Sequence, residues 1–412
     1  MTQRIEIAGI RLRILDPDFG AGGQGKAMLV EPEDLPGTRM VLKELPYKPE
    51  TEARLKWVCQ RNLAQLTAAF AAPIICETTG QGTILHLAPL AEGVPQEDDP
   101  ARALPHNLQI CLEFVCLLLL LEENGLSHGD ISPNNVFIAP DGRVSLIDFD
   151  GCLAYDPDVP PPDTIGTRPM LAPEQRDGTR QAPTRESGYY QAGMMLSMII
   201  RQHYPTDGMP SEPNAVDQIL CHGGWPEHLR PLDPGEDPID ILGGELIALF
   251  DRAFSLNPTD RPNYDEWRRA LIRALHNCWI HDCGAAFVAD ATTTTACPDC
   301  GASIQIPSGK KQLKIQLLPT GGRFGVEIKD QTPIILGRST MTGLPPTVSG
   351  RHLEILPFKG KLFLRHVGSN PTLIQQGGQW YQLQETWLDE PGPNAPIELQ
   401  LADQRLNIVS GS

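Results

Sequence analysis

The stretch LSHGDISPNNVFIAPDGRVSLIDFDG, residues 126–151, decides the fold. It holds Asp130, then Asn135 five residues later, and then Asp148 after an apolar strand. At this spacing one carboxylate can accept a hydroxyl proton, while the other two side chains hold magnesium against the phosphates of a nucleotide. A polar hairpin with Asp148 at a strand end is the alternative. The order and spacing of the three groups favour phosphoryl transfer.

A glycine-rich stretch near the start of the chain supports this interpretation. FGAGGQGKAMLV places Gly20, Gly22 and Gly25 in the pattern G-x-G-x-x-G. Its flanks alternate like strands, whereas a helix would follow the same pattern in a dinucleotide site. Glycines let a strand–loop–strand lid approach triphosphate closely, although an ordinary turn is the alternative. Lys43 lies in the apolar strand MVLKEL, so it must reach water or an anion, and we expect it to bind nucleotide phosphates.

Two later motifs extend the pattern. GTRPMLAPE ends in Glu174, and NPTDRP supplies Arg261 as a partner for that glutamate. With these motifs, residues 1–275 resemble the eukaryotic-like (Hanks-type) protein kinases. The resemblance implies an α+β bilobal kinase fold, ATP bound with Mg²⁺, protein substrates and Thr167 beneath the acceptor hydroxyl. It also implies catalytic roles for Lys43, Asp130, Asn135 and Asp148, with Gly20, Gly22, Gly25 and Lys43 on ATP and with Asn135 and Asp148 on magnesium.

Several positions depart from the family pattern: Gly129 replaces an Arg, Ser132 replaces a Lys, Asp150 replaces the final Gly of Asp-Phe-Gly, and Gly188 replaces an Asp. These changes motivate a second hypothesis, a weakly active or inactive kinase domain in a phosphopeptide-binding scaffold. A small-molecule kinase is a third hypothesis. The helix acid expected to pair with Lys43 is not obvious. Glu52 is the candidate, with a solvated helix face as the alternative.

Length and periodicity predict several domains. The 412 residues suggest two to four of them. The apolar stretch at 110–121 contains Glu113 and is shorter than the ~20 residues of a membrane span, which predicts a core helix. Helical patterns lie at 50–70, 106–124, 188–202, 243–256 and 264–277. The sequence thus predicts a protein kinase domain at 1–277, a cysteine-bearing segment at 278–305 and an all-β sandwich at 312–412.

The cysteine-bearing segment predicts a structural metal site. Cys278 and Cys283 are separated by four residues, and Cys297 and Cys300 by two. Four thiolates suit tetrahedral Zn²⁺, and the segment is too short to bury a core of its own. It therefore looks like a small zinc ribbon. His281 in place of Cys278 is an alternative ligand, and free or disulfide-linked cysteines are the alternative to a metal.

Three loops of the C-terminal part carry another signature. ILGRST, VSGRHLEI and HVGSNPTLI resemble the signature loops of a forkhead-associated (FHA) domain. The resemblance implies phosphothreonine binding by Arg338, Ser349, Arg351 and Asn370, with His352 orienting the Ser349 loop. One departure is that Ser369 directly precedes Asn370, so the peptide-binding loop is one residue short. A generic β-sandwich with loop arginines is the alternative.

Charge and cysteine usage limit the expected binding partners and the expected cellular compartment. The net charge is −17, which disfavours nucleic acid. Residues 310–412 hold 11 Lys+Arg and 8 Asp+Glu, a net of +3, which leaves −20 for the rest. Reduced cysteines and the absence of a signal-like start predict a cytoplasmic protein that does not bind membranes. The order kinase, zinc ribbon and FHA resembles kinases that accompany a von Willebrand A-type protein and a metal-dependent phosphatase. We therefore expect phosphothreonine-containing proteins and these two as partners.

Overall fold

The computed structural model separates the chain into two compact units, Met1–Ile272 and Arg273–Ser412. It describes all residues except 1–2, 23–24, 81, 98–101, 141, 163–165, 177–181, 203–205, 207–208, 210, 226–240, 290–293, 306–310, 319–320, 329–332, 342, 359–360, 393–394 and 412.

A six-stranded antiparallel sheet in the order β1-β2-β3-β4-β6-β5 opens the first unit. Its buried face is apolar because alternate residues of the strands, such as Met28 and Val30 or Met40 and Leu42, point the same way. The strands of this unit are β1 (Arg4–Ile7), β2 (Ile10–Gly22), β3 (Gly25–Pro32), β4 (Met40–Pro46), β5 (Ile75–Thr78), β6 (Thr83–Pro89), β7 (Val94–Pro95), β8 (Leu126–Ser127), β9 (Val136–Ile138), β10 (Val144–Leu146) and β11 (Leu153–Ala154).

Helices make up most of the rest of this unit. They are α1 (Pro49–Gln60), α2 (Leu63–Leu66), α3 (Leu104–Glu123), α4 (Pro173–Arg176), α5 (Arg185–Arg201), α6 (Pro213–Leu220), α7 (Gly243–Ala253) and α8 (Tyr264–Asn277). A single helix was expected at 50–70, but Asn62 adopts a left-handed conformation (φ 51°) and separates α1 from α2. A left-handed residue cannot continue a right-handed helix, and asparagine tolerates this conformation well.

Helix α3 is the apolar helix that the sequence predicts, extended to Leu104–Glu123. By length and composition alone it could cross a membrane, with a mean hydropathy of 1.8, but 61% of that window is buried inside the chain. It packs against α5, where the Cys111 thiol lies 3.9 Å from the Leu196 carbonyl oxygen. This burial is what a core helix of a folded domain shows.

Short strands between α3 and α4 bring the acids of residues 126–151 together. Strand β8 pairs with β11, and β9 pairs with both β10 and β7. Asn135 lies in a 3-10 turn immediately before β9, and Asp148 follows the end of β10. Since β9 and β10 are antiparallel, the start of one lies beside the end of the other, which places Asn135 next to Asp148.

The second unit contains two small hairpins and two larger sheets. Hairpins β12–β13 and β14–β15 come first, followed by a six-stranded sheet ordered β17-β16-β25-β24-β21-β22 and a four-stranded sheet ordered β18-β19-β20-β23. The strands are β12 (Cys278–Ile280), β13 (Ala286–Val288), β14 (Thr294–Ala296), β15 (Ser303–Gln305), β16 (Lys311–Leu318), β17 (Arg323–Ile328), β18 (Ile334–Leu336), β19 (Leu353–Phe358), β20 (Lys361–His366), β21 (Thr372–Gln376), β22 (Gln379–Leu383), β23 (Glu385–Asp389), β24 (Ile397–Leu401) and β25 (Gln404–Gly411).

Both larger sheets contribute to one apolar core. Ile315 and Ile408 come from the six-stranded sheet, and Ile355 and Leu364 come from the four-stranded sheet. Two sheets that bury one face each against a shared core form a sandwich. The fold is therefore mixed, with α and β elements in the first unit and only strands in the described part of 278–411. The three-domain division at 277, 305 and 312 stays a prediction.

Candidate functional sites

The carboxylate of Asp130 is held by two neighbours. Thr167 donates from its backbone nitrogen (2.8 Å) and its hydroxyl (2.9 Å) to Asp130 Oδ1. The Asn135 amide donates to the Asp130 carbonyl oxygen (2.9 Å) and to Oδ2 (3.2 Å). The structure therefore brings together three of the residues that the sequence assigned to the acceptor hydroxyl and to magnesium.

Glycine is required at position 129 by close packing. Gly129 has φ 78°, and a Cβ there would lie 2.1 Å from the Gly151 carbonyl oxygen. No L side chain fits this position without moving the backbone. A side chain such as the expected Arg is therefore excluded at position 129 by the close approach of the Asp148–Gly151 turn to the backbone before Asp130.

At Gly188 the polar partner of the loop that carries Asp130 comes from a neighbouring position. A Cβ at Gly188 would lie 2.9 Å from Ser127 Oγ, so the site has little room for an aspartate. On the same helix α5, Gln191 Oε1 accepts a hydrogen bond from the Ile131 backbone nitrogen at 3.2 Å. A neutral amide therefore holds the loop next to Asp130.

Lys43 and Asp148 form the next contact of the site. The Lys43 ammonium lies 2.7 Å from Asp148 Oδ1 and also contacts Asp150 Oδ2. Burial opposes the lysine charge, but Asp150 and Asp148 together raise the pKa of Lys43. Asp148 adopts a left-handed conformation with φ 63° at the end of β10. Its burial, followed by the charge of Asp150, raises the pKa of Asp148 despite the nearby lysine.

Asp150 is the most buried acid of this group, with 3% of its side chain exposed. His86 Nε2 lies 3.1 Å from Asp150 Oδ1, and the Arg54 Nε donates to the Asp150 carbonyl oxygen at 2.8 Å. Burial works against its ionisation, but His86 and then Lys43 outweigh it and hold the pKa of Asp150 below its usual value. In the sequence Asp150 stands out only as a departure, and nothing there indicates His86. The signal available was an acid two residues after Asp148, the predicted magnesium ligand.

The candidate helix partner of Lys43 is wrong. Glu52 accepts a hydrogen bond from Lys56 at 2.7 Å, one turn further along α1, and another from the Thr78 hydroxyl at 2.7 Å. These contacts lower the pKa of Glu52, with Lys56 as the main cause. Glu52 thus belongs to the surface of α1 and β5, and Lys43 is paired with acids that follow β10.

The glycine-rich stretch forms the β2–β3 hairpin beside the lysine strand. Gly22 pairs with Gly25, and Ala27 pairs with Lys43 on β4. A Cβ at Gly25 would lie 2.3 Å from the Glu44 carbonyl oxygen, so this glycine is required by the close approach of β4. Residues 23–24 at the tip lie outside the described residues. The flanks of the glycines are strands, as the sequence predicts, and the role as a lid over triphosphate stays a prediction.

Glu174 and Arg261 form the pair that the sequence predicts. Arg261 Nη1 lies 2.7 Å from Glu174 Oε1, and Nη2 lies 2.8 Å from Oε2. The arginine is buried and also donates to the Ser255 and Glu186 carbonyl oxygens. Such a two-pronged, buried pair fixes α4 relative to the segment before α8.

The cysteine-bearing segment gathers four metal-ligating side chains, but they differ from the predicted set. The ligand atoms of His281, Cys283, Cys297 and Cys300 all lie within 4.8 Å of one another. His281 Nδ1 is 3.1 Å from Cys283 Sγ and 3.5 Å from Cys300 Sγ, and the sulfur atoms of Cys283 and Cys297 are 3.6 Å apart. Sulfur atoms bonded tetrahedrally to zinc at about 2.3 Å lie about 3.8 Å apart. The donor set is therefore compatible with zinc.

Cys278 is not part of this group, which corrects the predicted four-cysteine set. It begins strand β12, where it pairs with Val288 and faces the interior. Burial raises the pKa of the Cys278 thiol to about 12, which opposes the thiolate that zinc needs. Strand β12 continues to Ile280, and the chain turns only from His281 onwards. The extended strand therefore separates the Cys278 and Cys283 thiols, and His281, directly after the strand, takes the fourth place.

Three loops meet at one edge of the second unit. Ser349 Oγ accepts from the Ser369 backbone nitrogen at 2.9 Å, and the Asn370 amide donates to the Thr347 carbonyl oxygen at 2.7 Å. Arg338 is exposed and its Nε donates to the Val348 carbonyl oxygen at 2.5 Å. The structure thus brings Arg338, Ser349 and Asn370 into one loop cluster.

The two other residues singled out in these loops have separate positions. Arg351 is turned towards the sheet, with Nη2 4.0 Å from Glu354 Oε2. His352 is buried, and its Nδ1 accepts a hydrogen bond from the Ser349 backbone nitrogen at 3.0 Å. Burial lowers the pKa of His352, which favours the neutral ring that this hydrogen bond needs. The geometry agrees with an orienting role for His352.

Comparison with known proteins supports a protein kinase. No family model matches the chain. It is 27% identical over 318 residues to the serine/threonine-protein kinase pkn2 of Myxococcus xanthus, covering 73% of this chain and 36% of that protein. It is 27% identical over 222 residues to the serine/threonine-protein kinase WNG1 of Toxoplasma gondii, covering 52% of this chain and 28% of that protein.

A second bacterial relative gives the same indication. The serine/threonine-protein kinase PksC of Streptomyces coelicolor is 25% identical over 249 residues, covering 57% of this chain and 42% of that protein. The chain thus spans less than half the length of each of these relatives. Their names support a distant relationship of this chain to Ser/Thr protein kinases.

Proposed function

We propose that the first unit transfers the γ-phosphoryl group of ATP, bound with magnesium, to Ser or Thr hydroxyls of proteins. One observation carries the proposal: Asn135 connects Asp130, the proposed base, with the Asp148 segment that contacts Lys43. Its amide nitrogen contacts Asp130, and its backbone carbonyl oxygen accepts a hydrogen bond from the Ile147 backbone nitrogen at 3.1 Å, beside Asp148. Base, metal ligands and lysine therefore form one continuous cluster.

Asp130 is the group that accepts the proton of the substrate hydroxyl. Its Oδ1 already receives two hydrogen bonds from Thr167, whereas among the described residues Oδ2 receives only the longer 3.2 Å contact from Asn135. Oδ2 therefore has the greater remaining capacity to accept a proton. The Thr167 contacts keep the carboxylate oriented, which general base catalysis requires.

The polar side chains also fit a magnesium ion. Asn135 uses its amide nitrogen on Asp130, which leaves its side-chain oxygen as a ligand, and Asp148 adds a carboxylate with 37% of its side chain exposed. Magnesium, when bound, neutralises charge on the β- and γ-phosphates. Lys43 then holds the phosphates from the strand next to the glycine hairpin.

Radiolabelled ATP tests this function. Wild-type protein should label itself and a generic protein substrate, and Asp130→Ala should lower the rate by about 10²–10⁴-fold. Glu245→Gln on α7 is a control outside the cluster. Phosphoserine or phosphothreonine in the product distinguishes this function from a small-molecule kinase. Equal labelling by wild type and Asp130→Ala would favour the scaffold hypothesis.

We propose, secondly, that the second unit contains an FHA domain that binds phosphothreonine-containing proteins. The loop cluster supports this, because Arg338 is exposed beside Ser349 and Asn370 on the one part of the chain that carries a net positive charge. Arg338 would hold the phosphate, Ser349 and Arg351 would assist, and Asn370 would hold the peptide backbone. Arg338→Ala should abolish retention of a phosphothreonine peptide library. Arg323→Ala, an exposed cation on β17, should retain it.

We propose, thirdly, that His281, Cys283, Cys297 and Cys300 hold structural zinc. Elemental analysis of protein purified without chelator should find about one zinc per chain. Cys297→Ser should lose the metal, and Cys278→Ser should retain it. Loss of zinc in Cys278→Ser with retention in His281→Ala would restore the four-cysteine set.

The setting of the protein is also a proposal. None of the ten cysteines, all of which lie among the described residues, is disulfide-bonded, which is consistent with a reducing cytoplasm. A von Willebrand A-type protein and a metal-dependent phosphatase are proposed partners, alongside proteins that carry phosphothreonine. Co-purification of the tagged full chain from its native cells would identify them.

A further inference from the structure

The ammonium of Lys43 needs a permanent counter-charge. Only 15% of its side chain is exposed, and a buried ammonium without a partner is costly. Helix α1, which lies beside the site, does not supply one. Its two acids are Glu50, which is exposed, and Glu52, which is paired with Lys56.

The buried face of α1 instead carries a cation towards the site. Arg54 is buried, and it donates to the carbonyl oxygens of Asp150 (2.8 Å) and Pro161 (3.2 Å). These contacts tie α1 to the segment that follows Asp148. The helix thus holds that segment through its backbone, and no acid of α1 is directed at the lysine.

Asp148 and Asp150 both contact Lys43, but they differ in exposure. The Asp148 side chain is 37% exposed and that of Asp150 is 3% exposed. Under the proposed function, Asp148 turns to magnesium when nucleotide binds. Asp150 is too deeply buried to follow it, so Asp150 remains the counter-charge of the lysine.

His86 lies beside the Asp150 carboxylate. On neighbouring antiparallel strands, Lys43 of β4 lies directly opposite His86 of β6. Directly opposite side chains lie on the same face of a sheet, so both reach the same carboxylate, His86 at 3.1 Å from Oδ1. Two strands of the sheet and the backbone contact from Arg54 therefore converge on Asp150.

We propose that Asp150 is the positioning residue for Lys43, in the place that a helix acid would otherwise take. This inference rests on the proposed function. Its consequence is that the charge partner of the lysine lies in the same short segment that carries Asp148, and α1 acts on the lysine only through the backbone contact of Arg54. Asp150, buried and already paired, does not itself touch nucleotide.

Steady-state kinetics of the full chain test the inference. Asp150→Asn keeps the shape of the side chain and removes its charge. It should raise the KM for ATP and lower kcat by about tenfold each, because the lysine is no longer held at the phosphates. The KM for the protein substrate should not change. Glu52→Gln, which removes the helix acid, should match wild type in all three constants.

A merely structural role would give a different result. Partial unfolding lowers the active fraction, so kcat falls while the KM for ATP stays constant, and that result for Asp150→Asn would overturn the inference. So would a loss in Glu52→Gln as large as that in Asp150→Asn. Should Asp150→Asn fail to fold, Asp150→Gly replaces it, since glycine accommodates any backbone conformation.

A second measurement separates this inference from the proposed function. An acyl-phosphate derivative of ATP acylates a lysine held at the phosphates, and mass spectrometry locates the label. Wild type should be labelled at Lys43, and Asp150→Asn should need an about tenfold higher probe concentration for half-maximal labelling. Labelling that depends on Asp150 in a protein that transfers no phosphoryl group would sustain the inference and refute the function. Equal labelling of Lys43 in both proteins, or none in wild type, would overturn the inference.

Discussion

The two candidate binding regions hold their charged groups in opposite ways. Around Lys43 and Asp150, side chains of opposite charge are buried against each other. In the loop cluster of the second unit, Arg338 is exposed and tied to a backbone carbonyl oxygen. A ligand of the first region must exchange partners with groups that are already paired, whereas a ligand of the second meets a cation that is available. The first arrangement couples binding to stability, and the second separates them.

Glu174 and Arg261 are another pair of opposite charges buried against each other. We expect the largest effect of a substitution at this pair. Arg261→Ala leaves a carboxylate without its partner, and breaking a buried pair costs about 3–5 kcal/mol of the free energy of unfolding. Urea denaturation of the full chain, followed by tryptophan fluorescence, measures the loss. Arg252→Ala removes one member of a more exposed pair with Glu266, so it should cost about 1 kcal/mol or less. Equal losses in the two variants would contradict the comparison.

A smaller effect is expected inside the loop cluster. Ser349→Ala removes the acceptor of the Ser369 backbone hydrogen bond, and a net hydrogen bond contributes about 1 kcal/mol to stability. The same variant should weaken binding of phosphothreonine peptide, which isothermal titration calorimetry measures. Ser339→Ala is the matched control. It also removes one serine hydroxyl hydrogen bond from these loops, the one that Ser339 donates to the Gly350 carbonyl oxygen. A loss of about 4 kcal/mol in the free energy of unfolding of Ser349→Ala would mean that this loop is as sensitive to substitution as a buried ion pair.

His352 should make the second unit sensitive to acid. Burial lowers its pKa from 6.5, and the neighbouring ring of His366 acts in the same direction. The unfolded chain therefore binds the proton more readily, so this contribution to stability is complete above pH 6.5 and is lost as pH falls below it. Protonation of Nδ1 also ends the hydrogen bond from Ser349. Thermal denaturation between about pH 8 and pH 5 should show a smaller decrease for His352→Gln than for wild type.

The smallest effect concerns the stability of Arg338→Ala. An exposed side chain away from a buried network usually changes stability by no more than about 0.5 kcal/mol. We therefore expect urea denaturation of this variant to match that of wild type even though peptide binding is lost. A large decrease in stability would mean that Arg338 supports the loops, and the two regions would then be built alike.

Much of the first site could be predicted because its groups are close in sequence. Asp130, Asn135 and Asp148 lie within one stretch, and local strand pairing brings them together. The partner of Lys43 could not be predicted in the same way. Asp150 is 107 residues away in sequence, and its role depends on which face of α1 is buried and on His86 from a third segment.

The metal centre shows a similar limit. The spacing of the cysteines predicts a cluster, but it does not show where strand β12 ends. That end decides whether Cys278 or His281 reaches the other ligands. In the loop cluster, the contact between Ser349 and Ser369 depends on two loops from different strand connections, which no local pattern reports.

The pairing of Lys43 with two carboxylates also affects the order in which charges can enter the site. The two acids among Lys43, His86, Asp148 and Asp150 leave no excess positive charge at the point where, under the proposed function, the phosphates arrive. A bare polyphosphate therefore meets no uncompensated cation among these side chains, whereas one that arrives with a divalent cation brings its own compensation. We therefore expect the site to favour metal-bound over free nucleotide.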